Sequence, residues 1–109
     1  YMAAHPEVIQ GFANAIARAQ SWINAHTDRE VAEAMAAQFP DTSLDTLEAV
    51  TARHRQIDAW NSTPVMEKAA LERLETVMTE AGELTRGQWV DFDALVDNTY
   101  AAQAAENVK

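Results

Sequence analysis

Apolar side chains that return every three or four residues, between proline and glycine stops, constrain this chain more than any other feature. From Pro6 to about His26, the residues Val8, Phe12, Ala15, Ile16, Ala19, Trp22 and Ile23 recur at that step and mark one face of a helix. Pro6 suits the first helical turn, and Glu7 complements the positive end of the dipole. Gly11 interrupts this helix at about 1 kcal/mol relative to alanine. Close packing against a neighbour is the expected reason for it. No stretch alternates with the period of two that a half-buried strand requires, so the fold class is all-α.

The same reasoning places three more helices. Asp28 caps a second, over 29–38, with Val31, Met35 and Phe39 spaced by four before Pro40 stops it. Thr42 or Ser43 caps a third, over 44–58, whose buried edge is Leu44, Leu47, Val50 and Ile57. Asp45 and Glu48 lie early in it and Arg53 and Arg55 late, matching the dipole. Ser62-Thr63-Pro64 reads as the start of a fourth, over 64–81, with Thr63 as cap and Pro64 in the first turn. Its apolar stripe is Met66, Ala70, Leu74, Val77, Met78 and Ala81, and Gly82 ends it in the left-handed conformation. Thr85 to Val90 reads as a loop, followed by a short helix capped by Asp91 and an alanine-rich stretch around Tyr100.

At 109 residues the chain makes one domain at most. Its 48% hydrophobic content argues against disorder, but much of that is alanine, so each large apolar side chain matters. A net charge of −9 repels phosphate backbones and disfavours nucleic acid as a partner. No apolar run is long enough to span a membrane. Tyr1-Met2-Ala3-Ala4-His5-Pro6 lacks the basic and apolar regions of a signal peptide. Without cysteine there is neither a disulfide nor thiolate chemistry.

Few constellations could carry chemistry. His54 and Asp58 share a helix face, but a metal site needs three or four ligands, and His5 and His26 stand at opposite ends of a helix about 30 Å long. The carboxylate pairs Glu30/Glu33 and Glu72/Glu75 lie opposite the apolar stripes and read as solvated surface. Ser21, Ser43 and Ser62 have no glycine-rich elbow, and no glycine loop cradles phosphate. No catalytic residue, metal ligand or cofactor is therefore assigned, and the chain reads as a non-enzyme. Trp22 belongs to an apolar face and reads as core. Trp60 and Trp89 lie near helix ends, where stacking on a ligand is open to them, and Trp60 is the one ligand-binding candidate.

The order of these features resembles a known family. His5-Pro6-Glu7-Val8 opens a long helix holding Ala15, Ala19 and Trp22-Ile23. A short helix ends at Phe39-Pro40, a third carries Arg53 and leads to Trp60, and Pro64 opens one that closes at Ala81-Gly82-Glu83-Leu84. Asp91-Phe92-Asp93 precedes Leu95-Val96-Asp97. This order is similar to the C-terminal part of substrate-binding proteins of ABC transporters, in the group for alkanesulfonates, nitrate or thiamine precursors. The resemblance implies a helical fragment of a two-lobed α/β protein. The parent would be periplasmic or extracytoplasmic, carry an export signal that this chain lacks, and deliver a small organic or anionic solute to an ABC permease. The alternative is a free-standing helical protein–protein interaction module. Two expectations follow: the isolated chain binds no such solute at micromolar affinity, and it self-associates or leaves a large apolar patch exposed.

Overall fold

The computed structural model describes residues 1–108. Among them are six α-helices and no strand: α1 (Pro6–Ala25), α2 (Asp28–Met35), α3 (Leu44–Gln56), α4 (Lys68–Glu80), α5 (Phe92–Leu95) and α6 (Thr99–Asn107). Short 3-10 turns at Ala36–Gln38 and Arg86–Gln88 extend α2 and shape the link after α4. The all-α expectation holds. The second helix is α-helical only to Met35, and the tail holds two helices, not one.

Two helix pairs organise the molecule. α1 packs along α6, and α2 packs against α3. In the second pair Val31 and Ala32 of α2 meet Leu47 and Thr51 of α3, all buried. Thr27, not Asp28, caps α2. Its hydroxyl accepts from the Glu30 backbone N–H, and the Glu30 carboxylate accepts from the Thr27 backbone N–H at 2.8 Å, closing a capping box. Ser43 caps α3 by accepting from the Thr46 backbone N–H. Arg29 reaches from α2 to Asp45 and Glu48 of α3, both at 3.0 Å. The Glu48 carboxylate, then Asp45, holds its guanidinium above the ordinary arginine range.

The face of α1 that packs is not its apolar one. Ala17 is buried against α6, whose Ala104 is fully buried, and small side chains allow the two backbones to approach closely. Amides frame that contact: Gln10 donates to the Tyr100 carbonyl at 3.1 Å and Asn107 donates to Asn14 at 3.3 Å. Val8, Phe12, Ile16 and Trp22, predicted to be buried, are exposed, Phe12 to 69%. The helical period was right, but hydrogen bonding to α6 turns the other side of α1 inward. Gly11 also departs from expectation, since a Cβ there would meet nothing within 4 Å.

The fourth helix starts later than Pro64. Asn98 clamps the preceding segment, accepting from the Met66 backbone N–H at 2.9 Å and donating to the Met66 carbonyl at 2.8 Å. Thr63 turns its hydroxyl to the Val65 N–H, and its carbonyl accepts from Gln20. These contacts hold residues 62–67 out of the helix, and Glu67 becomes the residue before the first turn. α4 then buries Leu71 and Glu75, leaving Leu74 and Val77 of the predicted stripe half exposed or more. Glu75, expected at the surface, is buried because its carboxylate accepts from the Val90 backbone N–H at 2.9 Å. Gly82 closes α4 as predicted, at φ +80°.

Candidate functional site

The C-terminal end of α3 builds the site. Ala59 N–H bonds the His54 carbonyl at 2.9 Å and Asp58 N–H bonds the Arg55 carbonyl at 3.1 Å, the paired closure of a Schellman motif. That closure requires a left-handed residue, and here it is Asp58, at φ 52°, where glycine is the unstrained choice. The reversed chain then sets Trp60 back over the helix it has left. Its indole stacks on the His54 ring at 5.5 Å and lies under the Arg55 guanidinium at 6.0 Å.

Arg55 is itself held from three directions. It donates to Asp28 at 2.8 Å, to the Ile23 carbonyl at 3.3 Å and to the His26 carbonyl at 3.0 Å. It thus adds donors to the carbonyls at the end of α1, where the Ile23 carbonyl otherwise accepts from the His26 backbone N–H, and ties α1, α2 and α3 together behind the indole.

In front of Trp60 lies a hollow of about 460 Å³, within the range of small-molecule sites. The end of α1, the 58–67 segment and the first turns of α4 enclose it. Trp60 offers an apolar ring, Asn61 and Ser62 offer neutral hydrogen-bonding groups, and Asp58 and Glu67 offer carboxylates. Arg73 supplies a cation on the α4 wall and has no ion-pair partner among the described residues. This set can stack a flat or apolar group and pair an anionic one. It holds no nucleophile bonded to a base, and among the described residues no three histidine, aspartate or glutamate side chains converge as a metal site.

The other sequence candidates separate. His54 turns its Nδ1 to the Val50 carbonyl of its own helix at 2.9 Å, and Asp58 is drawn away by its left-handed backbone. Trp89 is structural: its indole N–H donates to the Thr79 hydroxyl at 3.0 Å and Arg86 lies 5.4 Å from the ring. Trp22 is not core but surface, stacked on His26 at 4.0 Å. Sequence reading assigned Arg55 only a dipole role and gave Arg73 none. The pairing of arginine with distant carbonyls leaves no local signal.

No family profile matches the chain, and no solved structure matches it. The chain is 26% identical over 101 residues to "Putative binding protein YtlA" of Bacillus subtilis, which covers 93% of this chain and 30% of that protein. The chain therefore spans under a third of the relative it matches. These findings correct the resemblance to substrate-binding proteins of ABC transporters. The relative carries no such name, its identity to this chain is low, and the described residues form helices and loops with no strand and so no α/β lobe.

Proposed function

We propose that this chain works by binding and not by catalysis, as the helical part of a larger binding protein whose small organic or anionic solute rests on Trp60. The observation that carries this reading is the hollow itself: one aromatic face, neutral hydrogen-bonding groups and the unpaired Arg73 converge in about 460 Å³. The strained Asp58 backbone at its rim supports it, since strain of this kind is kept where the surrounding structure needs the geometry. The relative named for binding agrees with a binding role, and its greater length leaves room for further walls around the ligand.

A hollow of this kind, open to solvent on one side, binds weakly, so a dissociation constant near 1 mM, about −4 kcal/mol, is the scale for this chain alone. Calorimetric titration with a small sulfonate, nitrate and a pyrimidine tests the reading. At least one should give a saturable signal that Trp60→Ala and Arg73→Ala each weaken. Absence of any signal at concentrations tenfold above that scale, or a signal indifferent to both substitutions, refutes it.

The alternative, a helical protein–protein interaction module, is favoured by a separate observation: the apolar side chains of α1 and α4 that stand exposed among the described residues.

A further inference from the structure

We propose that α1 pairs antiparallel with α1 of a second copy of this chain, through the seam Val8, Phe12, Ala15, Ala19 and Trp22. These residues step by four, three, four and three, the 3.5-residue repeat of a coiled-coil seam, and all five are exposed. The seam stands apart from the solute hollow, whose only α1 residue, Asn24, is not in it.

The seam fits itself. With the second helix reversed and centred at Ala17, Phe12 of each copy comes level with Trp22 of the other, and Ala15 with Ala19. Small residues at the middle let the two axes approach closely, and an aromatic pair closes each end. A self-complementary patch of this kind is what a two-fold interface requires. Beyond Trp22 the seam opens into a shallow apolar groove walled by Ala25 and Val108, which continues the contact surface.

Charge and area point the same way. Glu7 and Arg18 are the only charged side chains on α1, so the helix is neutral within a chain of −9, and the repulsion between copies originates elsewhere. The accessible surface is 7793 Å², against about 6,000 Å² for a compact chain of 12.0 kDa. The excess, about 1,800 Å², exceeds the roughly 800 Å² that each partner contributes to a standard stable interface.

The absence of native cysteine allows a direct test. In the full 109-residue chain carrying Phe12→Cys and Trp22→Cys together, oxidation should link two copies into a covalent dimer, whereas Phe12→Cys with Leu74→Cys should not. Sedimentation equilibrium of the unmodified chain should give twice 12.0 kDa, falling to one copy in Ala19→Glu but not in Leu74→Glu. Both glutamates enter exposed positions, so circular dichroism should show unchanged helix content. A monomer at all concentrations up to about 100 µM, well above typical dimer constants, overturns the proposal and leaves the face to a different protein. A dimer that Leu74→Glu breaks and Ala19→Glu does not also overturns it, moving the interface to α4.

Discussion

At the scale of single residues, Arg55 carries more than its sequence position suggests. It is half-buried, and its removal takes a donor from the His26 carbonyl and the Asp28 carboxylate and leaves the Ile23 carbonyl with only the His26 backbone N–H. Arg55→Ala should cost about 2 kcal/mol in urea unfolding, reduced from the fully buried case by solvent at its rim. Arg55→Lys should recover less than half, because an ammonium cannot fork to three acceptors at once. Full recovery by lysine would show that charge alone suffices. Asp58 tests whether strain and function coincide. Asp58→Gly should stabilise the chain by roughly 0.5–1 kcal/mol by relieving the left-handed backbone, while loss of a carboxylate from the rim should leave an anionic solute at Arg73 bound as well or better. Trp60 was legible as a candidate because a tryptophan just beyond a helix end has no helical face to join. Its supports were not, since Arg55 reaches carbonyls 29 and 32 residues away.

At the scale of elements, some caps were legible, the Asp28 and Thr63 caps were not borne out, and the packed faces were read poorly. Capping is local: Ser43 and Gly82 act where the sequence placed them, and Thr27 does so one residue earlier than expected. Facing is tertiary. In α1 and α4 the apolar stripe is real, but the hydrogen bond that Gln10 donates and those that Asn14 and Glu75 accept lie on a neighbouring side, which packs. The start of α4 was misplaced for the same reason, because the Asn98 clamp on Met66 outweighs the local Thr63-Pro64 signal. Two glycines give opposite expectations. Gly82→Ala should cost about 1 kcal/mol, purely conformational since nothing lies within 4 Å, whereas Gly11→Ala should gain up to about 1 kcal/mol in mid-helix. Equal effects of the two in thermal melts would contradict the assigned backbone states.

The α2 cap also predicts a pH dependence. Hydrogen bonds from the Thr27 backbone N–H and then its hydroxyl hold the Glu30 carboxyl below the ordinary glutamate range. A depressed folded value means that this contribution is present above the ordinary range and is lost as pH falls through the lowered one. Thr27→Ala should lower stability at neutral pH by about 1 kcal/mol, and the gap to the parent should narrow on acidification. A gap that widens in acid would contradict the capping box.

At the scale of the whole molecule, the radius of gyration is 16.9 Å, where a compact chain of this length has about 13 Å. Among the described residues six hydrophobic ones are buried, and three of them are larger than alanine: Val31, Leu47 and Leu71. Such a core is small, and the chain relies on hydrogen-bonded elbows such as Arg55 and Asn98 to hold its helices in place. The exposure of Phe12, Trp22, Leu74 and Val77, on two different helices, agrees in direction with the expectation that this chain holds more bulky apolar groups than it encloses. That expectation followed from counting bulky residues against short, alanine-rich helices. Which surfaces would be left open did not follow, because that depends on which helices pair.

The claim that joins these scales is that Trp60, fixed from behind by Arg55, is the surface on which a small solute rests. The chain has three tryptophans, so an ¹⁵N-resolved proton spectrum carries three indole N–H signals, assignable by Trp22→Phe and Trp89→Phe. During titration with the sulfonate, nitrate and pyrimidine series, the Trp60 signal should shift and saturate with at least one of them, while those of Trp22 and Trp89 stay in place. A Trp60 signal unmoved throughout the series, or shifts confined to Trp22 or Trp89, would contradict the account.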